Sequence, residues 1–410
     1  MYRLILYIIG FLCPILSCFG QLTVCPECPI NTVQSAVEKA EDGTHILIKK
    51  GVYLVNDLVI DKKIQIEGEP GAIIDGNEAG GIIIITSDSV HIRGLRIQNV
   101  GKSYIKDWAA IKLHKTKGFI IENNHFENVF FGIVVEKSKR GIIRNNTIHS
   151  VSESEHNSGN GIHLWHSKMI EIVGNNVSGQ RDGIYLEFVD KSRIENNICS
   201  DNLRYGLHFM FSHEDEYINN TFMDNGAGVA VMFSKKIKMI RNTFIKNWGS
   251  SSYGLLLKEI NDAEIKENLF EENTIGIHAE GTNRINYFNN NFVRNGWAVK
   301  VRGACFKNIF KQNNFLFNTF DISYQGNLNE NQFDQNYWSS YTGYDLDKNG
   351  VGDIPYRPVK LFSYIVNRTP ETIILLRSLF VDMINFSEKV SPIFTPDNLL
   401  DNNPMMREVR

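Results

Sequence analysis

From Ala110 onward, a short alternation of apolar and polar positions recurs along the chain at nearly constant spacing. Gly followed by Ile, Leu or Val opens each run at Gly132, Gly161, Gly183, Gly206, Gly228, Gly254 and Gly276, with Ala110 and Ala298 in the same phase. The steps from 110 to 298 are 22, 29, 22, 23, 22, 26, 22 and 22 residues. Between openings, Asn-x-Phe or Asn-x-Ile returns in phase, from Asn124-His125-Phe126 to Asn313-Asn314-Phe315. Alternation with period 2 marks strands with one face in a core and the other outward. Asn tolerates the left-handed corner, and stacked Asn side chains can hydrogen-bond from one repeat to the next. A fixed period of about 22 residues with these parts predicts a right-handed parallel β-helix. Helical repeats are excluded, because no 3.6-residue periodicity persists inside a unit. The two long steps are read as loop insertions, one of them the polar stretch 152–160. Residues 51–100 repeat more weakly, with strand-like runs at 58–60, 64–66, 73–74 and 82–85, so the solenoid is placed over 46–340.

The open ends of a solenoid carry unpaired backbone groups and need covers. Segment 31–40, within an N-terminal piece 21–45, has a cap at Asn31 or Thr32 and an apolar side of Ile30, Val33, Val37 and Ala40, which predicts a capping helix. At the other end, 370–390 shows helical spacing with Ile373, Leu376, Phe380, Met383 and Ile384 on one side, within a C-terminal extension over 361–410. Two readings are open: a helix packed on the solenoid end, or a docking element for a membrane protein in which Leu376, Phe380 and Met383 face the partner. Met405 and Met406 near the terminus are read as a flexible tail that can add soft ligands. The run 4–16 after Tyr2 and Arg3 is too short to span a bilayer and has the size of a secretory signal core, so 1–20 is read as an export signal. Ile15-Leu16-Ser17-Cys18 also loosely matches a lipidation site.

With the register set, outward positions form columns. The second residue after each opening Gly gives Lys112, Val134, His163, Tyr185, His208, Ala230, Leu256, His278 and Lys300. The fourth gives His114, Glu136, Trp165, Glu187, Met210, Met232, Lys258, Glu280 and Arg302. Stacking of coils brings His208, Met210 and Met232 onto one patch beside His163, Trp165, Tyr185 and Glu187. Thioethers and imidazole suit a soft metal, above all Cu(I). The competing reading is a packing patch covered by a loop, domain or partner. A carbohydrate-binding protein, lyase or epimerase is the rival class for this architecture, but no dense cluster of bases or carboxylates runs along the columns; Arg181 and Asp182 precede the Gly at a corner.

Charge adds little: a net −3 gives no reason to expect a nucleic-acid partner. Export permits disulfides, so Cys25 and Cys28 are read as a local disulfide or as a thiolate pair for a soft metal. Asp345, Asp347, Asn349 and Asp353 sit at the spacing of a Ca²⁺ loop within 341–360, with Tyr356 where the bidentate Glu would be. A weak Ca²⁺ site and a plain turn are both open.

Several segments resemble the NosD family, whose members are periplasmic β-helix proteins serving maturation of nitrous oxide reductase. They are Gly159-Asn160-Gly161-Ile162-His163-Leu164-Trp165, Arg181-Asp182-Gly183-Ile184-Tyr185, His208-Phe209-Met210-Phe211-Ser212, Val231-Met232-Phe233-Ser234, Asn336-Tyr337-Trp338-Ser339 with the Asp-rich loop, Pro355-Tyr356-Arg357-Pro358, and Asn403-Pro404-Met405. The resemblance implies a non-enzymatic periplasmic protein working with the permease and ATPase of an ABC transporter and with a copper lipoprotein chaperone. Membrane association would then run through the permease. It further implies a role in assembling the copper–sulfide centre of nitrous oxide reductase, with copper contacts at His208, Met210 and Met232. Cys25 and Cys28 depart from the family pattern.

Overall fold

The coils close as the repeat predicts into three parallel sheets, and most coils give their longest strand to the same sheet. In this computed structural model, which describes residues 20–409 except 104, 250, 326–329 and 391–398, the sheets hold 14, 13 and 12 strands. Long strands such as Asp182–Glu187 and Tyr205–Met210 build the 12-stranded sheet, and three-residue strands such as Arg193–Glu195 and Ile198–Ser200 build the other two. The proposed signal, with its lipidation motif, lies outside the described residues. The solenoid begins earlier than position 46, because Gln21–Val24 already pairs in parallel with His45–Ile48. The capping helix α1 (Val33–Lys39) lies between these two strands, and the Thr32 hydroxyl accepts from Ser35 N.

Two features make the coils stack in one register. Asn side chains form ladders: Asn268 Nδ2 donates to Asn290 Oδ1 at 2.9 Å, and Asn290 to Asn313 at 2.9 Å. The Phe of each Asn-x-Phe points inward and stacks on the next, as Phe244, Phe270, Phe292 and Phe315 do at 4.5, 5.0 and 4.9 Å. A continuous buried column of rings and branched aliphatics supplies the apolar burial that a single coil cannot reach alone.

The C-terminal end departs from expectation in three ways. First, the tail is docked rather than free. Buried Asp401 terminates the Asn ladder, accepting from Asn336 N, Asn336 Nδ2 and Trp338 Nε1, each at 3.0 Å. Met405 N donates to Asn336 O, so the last residues cover the open end. Second, the helical extension expected over 361–410 opens with α2 (Leu361–Arg368), which lies before the periodic run 370–390 and buries Phe362 and Val366 against Trp297 and Phe320 on the long-strand sheet. Third, Pro370 breaks the helical run, giving a 3₁₀ turn Pro370–Leu375 and then α3 (Leu379–Val390). On α3 the buried apolar residue is Val381; Leu376 is half-buried, while Phe380 and Met383 are 57 % and 63 % exposed. The apolar stripe read from spacing therefore turns largely outward, because α2 has taken the place against the sheet. Among the described residues, no helix is long and apolar enough to cross a membrane.

Candidate functional site

The ladder pairings reproduce both outward columns. His163 pairs with Tyr185, Tyr185 with His208 and His208 with Ala230; Trp165 pairs with Glu187, Glu187 with Met210 and Met210 with Met232. The two methionines are thus neighbours in adjacent coils, and His208 lies two residues before Met210 on one strand. Both methionines are half-buried.

The outward face is less open at its centre than alternation implies. His208 is only 5 % exposed, because Tyr185 and Tyr205 lean on its ring from two sides, each at 4.8 Å. Its Nε2 is buried without a hydrogen-bond partner. Nδ1 lies 3.3 Å from Arg204 Nη2 and 3.8 Å from Asp182 Oδ2. Arg204 grips Asp182 with two hydrogen bonds, Nε to Oδ1 at 2.9 Å and Nη2 to Oδ2 at 2.6 Å. Asp182 is fully buried. Burial works to raise its pKa, but hydrogen bonds from His208 and Arg204 outweigh that and hold it below the ordinary carboxylate value. The Arg–Asp–His triplet was not assembled from sequence: Arg204 carried no signal, and Asp182 was set aside as a corner residue. The signal available was their place one and two residues before successive Gly openings, which stacking superposes.

His208 therefore has two tautomers to choose between. With Nδ1 bare, it accepts from Arg204 and Nε2 carries the proton. With Nδ1 protonated and aimed at Asp182, the Nε2 lone pair is free, the arrangement that carboxylate–histidine pairs use to present imidazole to a metal. Imidazole nitrogen and thioether sulfur are the donor types that suit Cu(I). Tyr185 completes the surroundings. Its hydroxyl is 4.0 Å from Met210 Sδ and bonds Glu187, and burial with the Glu187 charge pushes its pKa up to about 12, keeping it a neutral donor. His163 stacks edge-on against Tyr185 at 4.8 Å, and both its ring nitrogens are buried without partners. Burial, with the nearby Arg181 charge, drives its pKa down to about 4. Trp165 lies under the Lys137 ammonium at 5.0 Å.

Of the two readings of Cys25 and Cys28, the structure shows the local disulfide, and a bonded pair has no thiolate to give a metal. In the Asp-rich loop, Asp345 accepts from Gly350 N at 2.9 Å, Asp353 from Leu346 N at 2.7 Å, and Asn349 Oδ1 from Val351 N at 2.7 Å. These oxygens close turns on their own backbone, Asn349 Nδ2 also donates to Asp347 Oδ2 at 2.9 Å, and Tyr356 is turned against Trp338. Among the described residues, no three His, Cys, Asp or Glu side chains could hold one metal ion. A Cu(I) site of one imidazole and two thioethers is a different donor set.

A family model described as "Periplasmic copper-binding protein (NosD)" matches residues 149–343, the coils that carry the site, and one described as "Right handed beta helix region" matches 55–177, giving the hand expected from the repeat. A protein of Pseudomonas aeruginosa named "Probable ABC transporter binding protein NosD" is 28 % identical over 87 % of this chain and 87 % of its own. One of the same name from Stutzerimonas stutzeri is 25 % identical over 85 % of this chain and 84 % of its own. Among solved structures, the catalytic unit of a GH87 alpha-1,3-glucanase from Streptomyces thermodiastaticus aligns at TM-score 0.58 with 12 % identity, covering 73 % of this chain and 65 % of that one, a likeness of fold alone. The chain is thus similar to NosD proteins, through two relatives of that name and a family model that spans the His/Met strands.

Proposed function

We propose that this protein is a non-catalytic periplasmic accessory factor that partners an ABC transporter and carries Cu(I) transiently on His208, Met210 and Met232 during assembly of the copper centre of nitrous oxide reductase. The observation that supports the copper role is the buried, unpartnered Nε2 of His208 beside two thioethers in register. Neutral thioethers bind Cu(I) through a soft interaction and leave no charge behind when it departs, which suits a carrier more than a resident site. The names of the two relatives support the transporter partner. The exposed Phe380 and Met383 of α3 give that partner an apolar anchor, with the helices fixed to the solenoid through Phe362 and Val366. A copper lipoprotein chaperone as donor and nitrous oxide reductase as acceptor complete the route.

Cu(I) titration of the purified mature protein against a competing chelator tests the site. Wild type is expected to bind one Cu(I) at the strands, and the His208→Ala/Met210→Ala/Met232→Ala variant to lose it. Equal affinity and stoichiometry in the two proteins would refute the assignment.

A further inference from the structure

We infer that the corner after the long strands, next to the His/Met site, docks an acidic segment of a partner protein. In four successive coils this corner residue is His166, Phe188, Phe211 and Phe233, all with positive φ between 48° and 53°. Left-handed backbone is unfavourable for a bulky L-residue, and Gly or Asn would adopt it at less cost. The side chains are nevertheless turned out of the core: Phe188 and Phe233 are each 39 % exposed. Neither backbone economy nor core packing accounts for them.

Their geometry restricts what they can bind. The rings stack face to face along the solenoid, His166–Phe188 at 4.6 Å and the two Phe–Phe pairs at 5.1 Å, with interplanar angles of 12° or less. Faces are thus occupied inside the ladder, and the rings present their edges. Sugars and nucleobases stack on aromatic faces, whereas the edge carries the positive part of the ring quadrupole and receives carboxylates and thioethers.

The same corner continues into a row of cations. Lys115, Lys117, Lys137, Lys139 and Lys168 line an open groove of about 610 Å³ together with His166 and Phe188, against only Asp88 and Asp190 as acids. Among the described residues none of these five lysines has a carboxylate within ion-pair distance. On the adjoining sheet charges are matched across coils, as with Arg93–Glu67 at 2.7 Å and Lys238–Glu216 at 2.9 Å. Uncompensated lysines beside an edge-on aromatic ladder form a surface complementary to acidic residues interspersed with Met or apolar side chains. Its position places such a partner directly beside Met210 and Met232.

The probe is a fluorescein-labelled peptide of alternating Glu and Met, followed by anisotropy with the purified mature protein, with an alternating Glu/Ser peptide for comparison. Lys137→Glu/Lys139→Glu/Lys168→Glu is expected to weaken binding at least about tenfold, as loss of a complementary charge patch does. Lys246→Glu/Lys266→Glu/Lys311→Glu, with the same change of net charge elsewhere, should bind like wild type. Phe188→Asn/Phe211→Asn/Phe233→Asn relieves the backbone and should keep the melting temperature or raise it, while removing the preference for Glu/Met over Glu/Ser. Binding that is absent, or equal in all variants, would overturn the proposal. So would binding of phosphatidylglycerol/phosphatidylethanolamine vesicles to the corner with no binding of peptide.

Discussion

Replacing Asp182 by Asn isolates the second layer of the proposed copper site. Asp182 accepts two hydrogen bonds from Arg204 at 2.9 and 2.6 Å and stands 3.8 Å from His208 Nδ1. Asn keeps the shape and removes the charge. Its amide nitrogen can then donate to Nδ1, which moves the imidazole proton to Nε2 and withdraws the lone pair offered to copper. Loss of such an outer partner typically lowers metal affinity about 10- to 100-fold, equivalent to about 1.4–2.7 kcal/mol. Chelator competition measures the affinity, and ¹⁵N chemical shifts of His208 report which nitrogen holds the proton. The expected pair of results is weaker Cu(I) binding together with a protonated Nε2 in the variant. Wild-type affinity in a folded Asp182→Asn protein would refute the reasoning, because the tautomer would then not govern the site.

Other outcomes follow from the same structure. His163 has a folded-state pKa of about 4 against an unfolded 6.5, so the unfolded chain gains the proton first and stability is lost as pH falls from 6.5 towards 4. Urea unfolding at pH 7 and pH 4.5 should show this loss, on the order of 2–3 kcal/mol, in wild type and not in His163→Phe. Asp321 has the opposite sign: burial pushes its pKa up to about 6, so its penalty appears as pH rises from 3.8 through 6, and Asp321→Asn should stabilise the protein at pH 7.5 by about 2 kcal/mol or more. Asp401→Ala leaves Asn336 N and Trp338 Nε1 without an acceptor at the end of the ladder, and Asn336 Nδ2 with only Phe310 O, and should destabilise by about 2 kcal/mol or more, seen as a lower melting temperature. Phe380→Glu/Met383→Glu should leave melting unchanged, since both side chains are exposed, but abolish co-purification with the co-expressed permease and ATPase.

What could be read from the chain divides along the range of the contacts involved. Spacing of Gly and Asn set the coil, the register and the columns, because each is a local pattern repeated in phase, and the strand pairings reproduce Tyr185–His208 and Met210–Met232 directly. Alternation alone assigned His208 to the open surface. Its burial comes from Tyr185, one coil away, and from Tyr205 and Arg204, whose approach depends on how the corner before the strand is bent. The Asp-rich loop matched a calcium spacing, yet spacing does not distinguish oxygens aimed at a cation from oxygens closing Asx turns. On α3, periodicity gave an apolar stripe but not its direction, since a second amphipathic helix, the eight-residue α2, competes for the same sheet. The exposed Phe ladder was visible in phase as the fifth residue after each Gly. Period-2 alternation ends with the strand at the fourth position, so it assigns no direction to the corner residue that follows.

Copper K-edge X-ray absorption of the Cu(I)-loaded mature protein bears most directly on the central claim. The account predicts a first shell of one imidazole nitrogen and two sulfurs, with both sulfurs lost in Met210→Ala/Met232→Ala and the imidazole lost in His208→Ala. A shell of nitrogen and oxygen only, or a spectrum unchanged by these substitutions, would contradict it.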